Sequence, residues 1–406
     1  MIRPTRLPRS NKDSCIYRSV IYVLFLDLRW LIVIYLIKLR LRQICQFQIT
    51  VVVIMSEHGI KSDIDGSDTD MIISRTDIFM FGGGMCRYGD ASPAVRVYSP
   101  SHKEPRRLPD LSTPRMGAVA VSAGRYIVVL GGFHGEREAR KDITTIDVFD
   151  TYTYKWRCDA NLLDATLGTA SGGREGAAAV TYLVLADITE TTTEIEMYYR
   201  PCVFVTGGRY MSNDITGFID RKCCFAYFYY GNDPVPNPDA KLLRLPDMNM
   251  PRVGHALVVY DGKPVAIGGV CDHTGVYHGT DVCLAEKFDE NKMQWLPFEP
   301  PPPLYCMYDR ASAVVIYSEA GQQVIYMVAG DSFYTFAGYE WTRISMDPLH
   351  RISHVYRCIS NLISFSESQK CIVVMNRSTL EWERVVNLAD GDPHYLSAII
   401  VAYRYY

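Results

Sequence analysis

The sequence lacks the short motifs that mark the common enzyme classes. It contains no GxSxG nucleophile elbow, no Walker A phosphate loop, no HExxH metalloprotease helix and no dinucleotide-binding glycine fingerprint. The glycine-rich stretch MFGGGM at 80–85 lacks the lysine that a phosphate loop requires. No two cysteines have the CxxC spacing typical of zinc sites and thioredoxin-like redox centres. These absences disfavour nucleotide, serine-hydrolase and structural-zinc chemistry.

An excess of positive charge is also absent. The 42 lysines and arginines are outnumbered by 45 aspartates and glutamates, which gives a formal net charge of -3. Nucleic acids and anionic membranes attract basic proteins, so neither is expected as the main partner. The 12 cysteines are scattered, and several, including Cys202 and Cys371, lie within apolar runs where a thiol behaves as a small hydrophobic group. Scattered buried thiols favour a reducing compartment, so the expected location is cytoplasmic.

Residues 1–54 form an apolar and basic segment that differs from the rest of the chain. Its most apolar window, 20–37, is long enough to span a bilayer but contains Asp27 and Arg29 near its middle. Each such charge costs about 2.5–3.5 kcal/mol at the centre of an inserted helix. Three interpretations stay open: a non-native extension, a membrane anchor, or an amphipathic surface segment. Residues 55–75 are acidic and contain no aromatic residue, so they are expected to form a polar linker.

A pattern recurs from residue 76 onward with a period of about 50 residues. An apolar strand ends in a pair of glycines, a variable loop follows, and an alternating strand then leads to a tryptophan. Another apolar strand precedes the glycine pair and opens with Arg-x-Gly or Arg-x-Ser. The diglycine strands are 77–84, 125–132, 201–208 and 262–269, and the tryptophans are Trp156, Trp295, Trp341 and Trp382. The pattern indicates a four-stranded unit that is repeated along the chain.

These features resemble kelch repeats, whose marks are the diglycine, the downstream aromatic residue and the tryptophan of a four-stranded unit. The resemblance covers residues 76–406 and implies an all-β fold, a β-propeller whose blades bury their apolar faces against one another. We label the strands of each blade A, B, C and D, where strand B ends in the diglycine. The first blade lacks strand A, and the C-terminal segment 394–406 matches the missing strand. We therefore predict a single six-bladed propeller that the C-terminal strand closes.

The predicted blades differ in how well they keep the pattern. Blade 1 comprises 77–111 together with 394–406, and blades 2 to 6 are 115–162, 174–246, 252–298, 310–346 and 351–388. Blades 5 and 6 lack a complete diglycine, so five or seven blades are the alternatives to six. Blade 3 lacks the tryptophan and has an insertion between strands A and B at 183–201, which is expected to form a hairpin.

The face formed by the starts of strand A and by the loops between strands B and C is the expected binding surface. Arginine recurs at the start of strand A, at Arg115, Arg174, Arg252, Arg310 and Arg351. Around a central opening these residues would form a ring of cations suited to the carboxylates of an acidic peptide. The alternative is that each arginine pairs with neighbouring loops or carbonyl groups. The variable B–C loops would supply specificity, through His134, Arg137, Arg209, His273 and His278.

The B–C loop of blade 4 is the strongest metal-site candidate, but it is weak. Cys271, His273 and His278 lie within it without the regular spacing of a zinc site. No metal and no other cofactor is therefore expected. Some kelch-like propellers are enzymes, such as copper radical oxidases and sugar-acid epimerases, and this is the alternative function. The oxidases need two tyrosines, a cysteine cross-linked to one of them and two histidines at the copper, and no segment shows that context.

The expected function is a non-catalytic scaffold for protein–protein interaction. A monomeric propeller would bind a protein partner on the face described above. Nucleic acid is not expected to bind, and a weak membrane tether through 20–37 is the alternative to a free cytoplasmic protein.

Overall fold

In the computed structural model the chain divides into two units, Met1–Gly66 and Ser67–Tyr406. The structure describes residues 22–23, 51–52, 76–83, 91–98, 106–135, 140–163, 172–187, 197–211, 218–229, 242–271, 280–281, 285–301, 311–318, 320–329, 332–344, 352–358, 361–366, 371–376, 381–387 and 399–404. In the first unit, β1 (Tyr22–Val23) and β2 (Val51–Val52) pair in parallel. Among the residues described, no helix has the length and apolar character needed to cross a bilayer. Apart from β1, the predicted apolar window 20–37 lies outside the described residues.

One sheet of the second unit joins the two ends of the repeat region. Its strands are β3 (Thr76–Phe81), β4 (Val95–Tyr98), β5 (Arg106–Leu108) and β32 (Ile399–Arg404), in the spatial order β32-β3-β4-β5. The C-terminal strand β32 runs antiparallel to β3, with Thr76 opposite Arg404 and Phe81 opposite Ile399. We call this the composite sheet. It places the C-terminal strand in the strand A position, as the missing strand of predicted blade 1 requires.

Five further four-stranded antiparallel sheets are each built from one continuous stretch of chain. Blade 2 contains β6 (Val119–Ala123), β7 (Tyr126–Leu130), β10 (Thr145–Asp150) and β11 (Lys155–Asn161). Blade 3 contains β12 (Ala178–Asp187), β13 (Met197–Thr206), β16 (Cys224–Tyr227) and β17 (Leu242–Leu245). Blade 4 contains β18 (Ala256–Tyr260), β19 (Lys263–Ile267), β22 (Ala285–Asp289) and β23 (Gln294–Phe298). Blade 5 contains β24 (Ala311–Tyr317), β25 (Gln323–Ala329), β26 (Ser332–Ala337) and β27 (Glu340–Ile344). Blade 6 contains β28 (Ile352–Cys358), β29 (Asn361–Ser366), β30 (Cys371–Asn376) and β31 (Glu381–Asn387).

The all-β propeller expected from the repeats is confirmed. Five blades, rather than six, are continuous in the chain, because predicted blade 1 takes its strand A from the other end of the sequence. Blades 5 and 6 form four strands although they lack a complete diglycine. The glycine pair is therefore not required for a blade to form. The apolar alternation of the strands is sufficient when neighbouring blades cover both faces.

The tryptophans lie between neighbouring blades. Trp295 of blade 4 is 4% exposed, and its ring centroid lies 6.1 Å from that of Phe204 in blade 3. Its indole Nε1 donates a hydrogen bond of 3.0 Å to the carbonyl of Pro246, at the end of the preceding blade. Trp156 and Trp341 donate in the same way to Pro109 and Glu299. The large ring fills the space between blades while its one polar atom keeps a partner.

Candidate partner-binding face

Three of the five predicted arginines are buried inside the blades. Arg115 and Arg174 have no exposed surface, and Arg252 is 1% exposed. Each guanidinium donates to the carbonyl of the first glycine in the diglycine of its own blade. The Nη1–O distances are 3.4 Å from Arg115 to Gly131, 2.7 Å from Arg174 to Gly207 and 2.7 Å from Arg252 to Gly268. For these three residues the predicted ring of partner-facing cations is wrong, and pairing with neighbouring carbonyl groups is what the structure shows.

The glycine pair gives the reason for this inward direction. Gly131 and Gly132 have φ values of 68° and 83°, a backbone conformation that side chains with a Cβ rarely adopt. A Cβ on Gly131 would lie 2.7 Å from the carbonyl oxygen of Arg174, which belongs to the next blade. A Cβ on Gly132 would lie 2.5 Å from the carbonyl oxygen of Met116 in its own blade. The diglycine is thus the place where backbones of two blades meet, and the arginine satisfies a carbonyl that the strand ladder no longer uses.

A carboxylate neutralises the buried arginine in blades 2 and 4. Arg252 Nε donates to Glu286 Oε1 at 3.0 Å, and Glu286 is 3% exposed. The second oxygen of Glu286 accepts from the backbone and side-chain nitrogens of Asn249, at 2.8 and 2.9 Å. In blade 2, Arg115 forms the corresponding ion pair with Asp147, which is also buried. Burial lowers the pKa of Arg115, and the charge of Asp147 opposes that shift. The guanidinium remains charged, since arginine does not deprotonate in proteins.

Blade 3 keeps the arginine but has no carboxylate at the equivalent position. Strand registers place Phe225 where blades 2 and 4 have their acid, because Phe225 pairs with Val205 as Asp147 pairs with Val129. Arg174 lies over the Phe225 ring at 5.3 Å, and its Nη2 lies 3.2 Å from Cys223 Sγ. Burial raises the pKa of the Cys223 thiol, but the guanidinium groups of Arg174 and Arg221 outweigh burial and hold the pKa below its ordinary value. Arg174 is therefore flanked by a thiol and an aromatic ring, where blades 2 and 4 have a carboxylate.

The glycines of the Arg-x-Gly motif form a chain of backbone hydrogen bonds from blade to blade. Gly176 N donates to Gly117 O at 3.0 Å, Gly254 N donates to Gly176 O at 2.8 Å, and Ala311 N donates to Gly254 O at 2.7 Å. Strands A of successive blades are therefore held at a fixed spacing where they begin. The recurring arginine and glycine of the motif both serve the architecture of the ring.

The B–C loops of blades 2, 3 and 4 contain short antiparallel ribbons. They are β8 (Phe133–His134) with β9 (Lys141–Asp142), β14 (Arg209–Met211) with β15 (Phe218–Asp220), and β20 (Val270–Cys271) with β21 (Thr280–Asp281). The predicted residues His134 and Arg209 lie on the first and second ribbon and are half-buried. The two ribbons are joined, since Asp142 Oδ2 accepts the N–H of Met211 at 2.8 Å. The structure thus brings the predicted loops of blades 2 and 3 together.

Basic residues gather where these two ribbons meet. We define the basic rim as Lys141 and Lys222, which are exposed, with Arg209 and Arg221, which are half-buried. Arg221 lies over the ring of Tyr210 at 4.1 Å. The carboxylates of Asp142 and Glu175 both bind Arg140, at 2.9 and 2.8 Å. Arg140 offsets one of these two negative charges, so the five cations named here outnumber the two acids.

Sequence reasoning missed three members of the basic rim, because it followed the recurring arginines. Lys141, Arg221 and Lys222 do not belong to the repeat pattern. A usable signal was present: a basic pair, Arg140-Lys141 in blade 2 and Arg221-Lys222 in blade 3, stands shortly before strand C.

The remaining predicted site residues cannot be placed. Arg137, Arg310, Arg351, His273 and His278 lie outside the described residues. Within the described part of the chain, no group of three or more His, Cys, Asp or Glu side chains could hold a metal ion.

The fold and this face define the protein as a β-propeller with variable loops on a fixed ring. Comparison with known proteins adds that residues 114–163, which span blade 2, match the kelch motif family. The resemblance to kelch repeats is therefore confirmed. Among solved structures, that of YjhT is 14% identical and matches with a TM-score of 0.48 over 71% of this chain and 88% of that chain. No curated protein sequence matches the chain.

Proposed function

We propose that the propeller is a non-catalytic interaction scaffold whose basic rim binds an acidic segment of a partner protein. The observation that carries this proposal is the set of four basic residues on two joined ribbons and directly after the second one, namely Lys141, Arg209, Arg221 and Lys222. Guanidinium groups bind carboxylates through paired, charge-assisted hydrogen bonds, and exposed lysines speed the encounter with an acidic partner. Kelch propellers generally mediate protein interactions, which agrees with this assignment.

The architecture supports a rigid scaffold. We count the composite sheet as the sixth blade, because its strand β32 contacts both β6 of blade 2 and β28 of blade 6. The domain is then the ring over residues 76–406, joined through the linker 55–75 to the segment 1–54. A ring with fixed blade spacing needs little rearrangement to bind, so little binding energy is lost to ordering.

We place this function in the cytoplasm, with the propeller as a monomer. Cys202, Cys223, Cys224 and Cys371 are buried and form no disulfide. Buried thiols of this kind are compatible with a reducing compartment. Arg137, Arg310, Arg351, His273 and His278 are retained as proposed contributors to the same face.

The proposal is tested by charge reversal with a matched control. The variant Lys141→Glu with Lys222→Glu changes the basic rim, and Lys155→Glu with Lys292→Glu makes the same change of net charge at exposed residues beside the C–D turns, on the opposite face. A fluorescein-labelled decaglutamate peptide serves as the acidic probe, followed by fluorescence anisotropy with the full chain. We expect at least a tenfold weaker affinity for the rim variant and little change for the control.

Salt and captured proteins provide the second readout. Binding of the probe should weaken as ionic strength rises, because exposed charges are screened. Proteins captured from a lysate by the wild type and by the control, but not by the rim variant, would be the candidate partners. An equal loss of affinity in the rim variant and the control would show that net charge alone causes it, and that result would contradict the assignment. Full binding by the rim variant would overturn the assignment as well.

A further inference from the structure

The long hairpin of blade 3 carries a strand edge without a neighbour. Strands β12 and β13 pair over ten positions, from Ala178 opposite Thr206 to Asp187 opposite Met197. The next strand, β16, pairs only with Val203–Thr206. Strand β12 is the first strand in the sheet order β12-β13-β16-β17, so among the described residues Leu183–Asp187 has a ladder partner on one side only. At about 3.3 Å per residue these five residues extend roughly 16 Å, on the face of the A–B turns, opposite the basic rim.

The direction of the backbone groups follows from the ladder. Gly207 N donates to Cys223 O, so the backbone groups of Gly207 point toward strand C. Backbone groups of successive strand residues point to alternate sides, so the N–H and C=O of Thr206 point toward β12. The same holds for the other even-numbered residues of β13. Their partners in β12 are also even-numbered, as Cys202 opposite Tyr182 shows. The N–H and C=O groups of Leu183, Leu185 and Asp187 consequently point away from the hairpin.

The two edges of the hairpin are not equivalent. On the outer edge of β13, Pro201 is the first outward-facing residue beyond the last pairing with β16, at Val203, and proline has no N–H to donate. Proline at this place protects a strand edge against an added strand. The edge of β12 has no proline between Leu183 and Asp187. Of the two edges, that of β12 is the one able to accept a further strand.

Contacts of Tyr182 hold the hairpin in place at the point where it extends beyond the rest of the blade. The hydroxyl of Tyr182 lies 3.1 Å from Gly262 O and 3.3 Å from Glu290 Oε2, both in the turns of blade 4. Its ring packs edge-on against Phe204 at 5.8 Å. Directly beyond this anchor, Leu183 is 53% exposed. A held base and an exposed continuation are what strand addition requires, because the template is formed before the ligand arrives.

Charge indicates the occupant. Residues 183–186 are apolar, Asp187 follows, and the connecting segment 188–196 contains three glutamates and no lysine or arginine. A second copy of the chain would bring another such acidic segment to the same sheet, which like-charge repulsion opposes. We propose that the edge of β12 at Leu183–Asp187 receives an extended segment of a partner protein as an added strand. That segment is apolar in its middle and has lysine or arginine beside Asp187.

Hydrogen exchange on the wild-type full chain tests this directly. The probe is an octapeptide of alternating valine and threonine with a lysine at each end, and its analogue with glutamate at each end is the charge control. The lysine peptide should protect the amides of Leu183, Leu185 and Asp187. It should leave those of Val184 and Ala186 unchanged, since they already bond within the hairpin. Protection of both sets alike, or of neither, overturns the proposal.

Variants and a modified probe separate backbone pairing from side-chain contact. Leu185→Pro removes one outward N–H and should weaken binding of the lysine peptide at least tenfold, whereas Leu185→Thr keeps the N–H and should bind nearly as the wild type does. A peptide N-methylated at alternate residues, and the glutamate peptide, should each lose at least tenfold. Equal binding by Leu185→Pro and Leu185→Thr contradicts strand addition. Concentration-dependent dimerisation that Leu185→Pro abolishes would assign the edge to a second copy and refute the stated occupant.

Discussion

Replacing Arg252 by methionine should destabilise the propeller without touching a binding surface. Arg252 is 1% exposed and bonds to Gly268 O and to Glu286 Oε1. Methionine fills a similar volume but donates nothing. Glu286 then keeps only its bonds from Asn249, and the Gly268 carbonyl loses a donor. The first loss is worth about 1.5–3 kcal/mol and the second about 1–2 kcal/mol. Together they predict a loss of about 3–5 kcal/mol in the free energy of unfolding, the range found when a buried pair is broken.

Urea unfolding followed by far-UV circular dichroism measures this loss. With an m value of about 3 kcal/mol/M, the midpoint should fall by roughly 1–1.7 M. The matched control is Arg343→Met, an exposed arginine on β27, for which a change within about 0.5 kcal/mol is expected. The double variant Arg252→Met with Glu286→Leu should recover most of the loss, because it removes the stranded charge.

One result would refute the reasoning. If Arg252→Met unfolded at the same urea concentration as Arg343→Met, the guanidinium could not be part of the blade interior. If the folded variant also lost binding of decaglutamate, Arg252 would have to contribute to the binding face. We expect instead that the folded variant binds the probe as the wild type does.

Three further predictions concern the interior of the ring. Burial lowers the pKa of His255 to about 3 from 6.5, so the unfolded state takes the proton first and the free energy of unfolding should fall by about 2 kcal/mol between about pH 7 and pH 5. The variant His255→Gln should lose that part of the pH dependence in urea titrations, and an identical dependence in both proteins would contradict the assignment. Gly131→Ala should cost about 2 kcal/mol or more, since its Cβ would meet the backbone of Arg174, whereas Gly124→Ala, also at positive φ but facing open space, should cost about 1 kcal/mol. Equal melting temperatures for the two alanine variants would refute the crowding at the diglycine. Arg174→Met should cost less than Arg252→Met by about 1 kcal/mol or more, because no carboxylate is left behind in blade 3, and a larger cost would show an unrecognised counter-ion.

The fold was predictable because its signals are repeated. Apolar alternation, the diglycine and the tryptophan recur, and each has a geometric reason that holds in every blade where it occurs. The closing strand was predictable for a related reason, since β3 to β5 form only three strands and a fourth was available at the other end. The boundaries of each blade could be predicted from the order of the four strands within one repeat.

The role of the arginines was not predictable in the same way. A recurring arginine before an apolar strand fits a ring of surface cations as well as it fits a buried hydrogen-bond donor. What distinguishes the two cases is the acidic partner, Asp147 for Arg115 and Glu286 for Arg252. Each acid is more than 30 residues from its arginine in sequence and comes next to it only when strand C is in register. Blade 3 breaks even this rule, with Cys223 and Phe225 in place of the acid. A pattern of single residues cannot reveal a partner that differs from blade to blade.

The residues that recur and the residues that we propose to bind a partner are therefore different sets. Arg115, Arg174 and Arg252 are buried by the bonds that hold each diglycine, so they have no surface left to offer a partner. We therefore expect recognition at positions where one blade departs from its neighbours. The basic rim of blades 2 and 3 and the long hairpin of blade 3 are two such departures, and they lie on opposite faces. Blade 3, which keeps the repeat least well, contributes to both and is the blade in which binding is to be sought first.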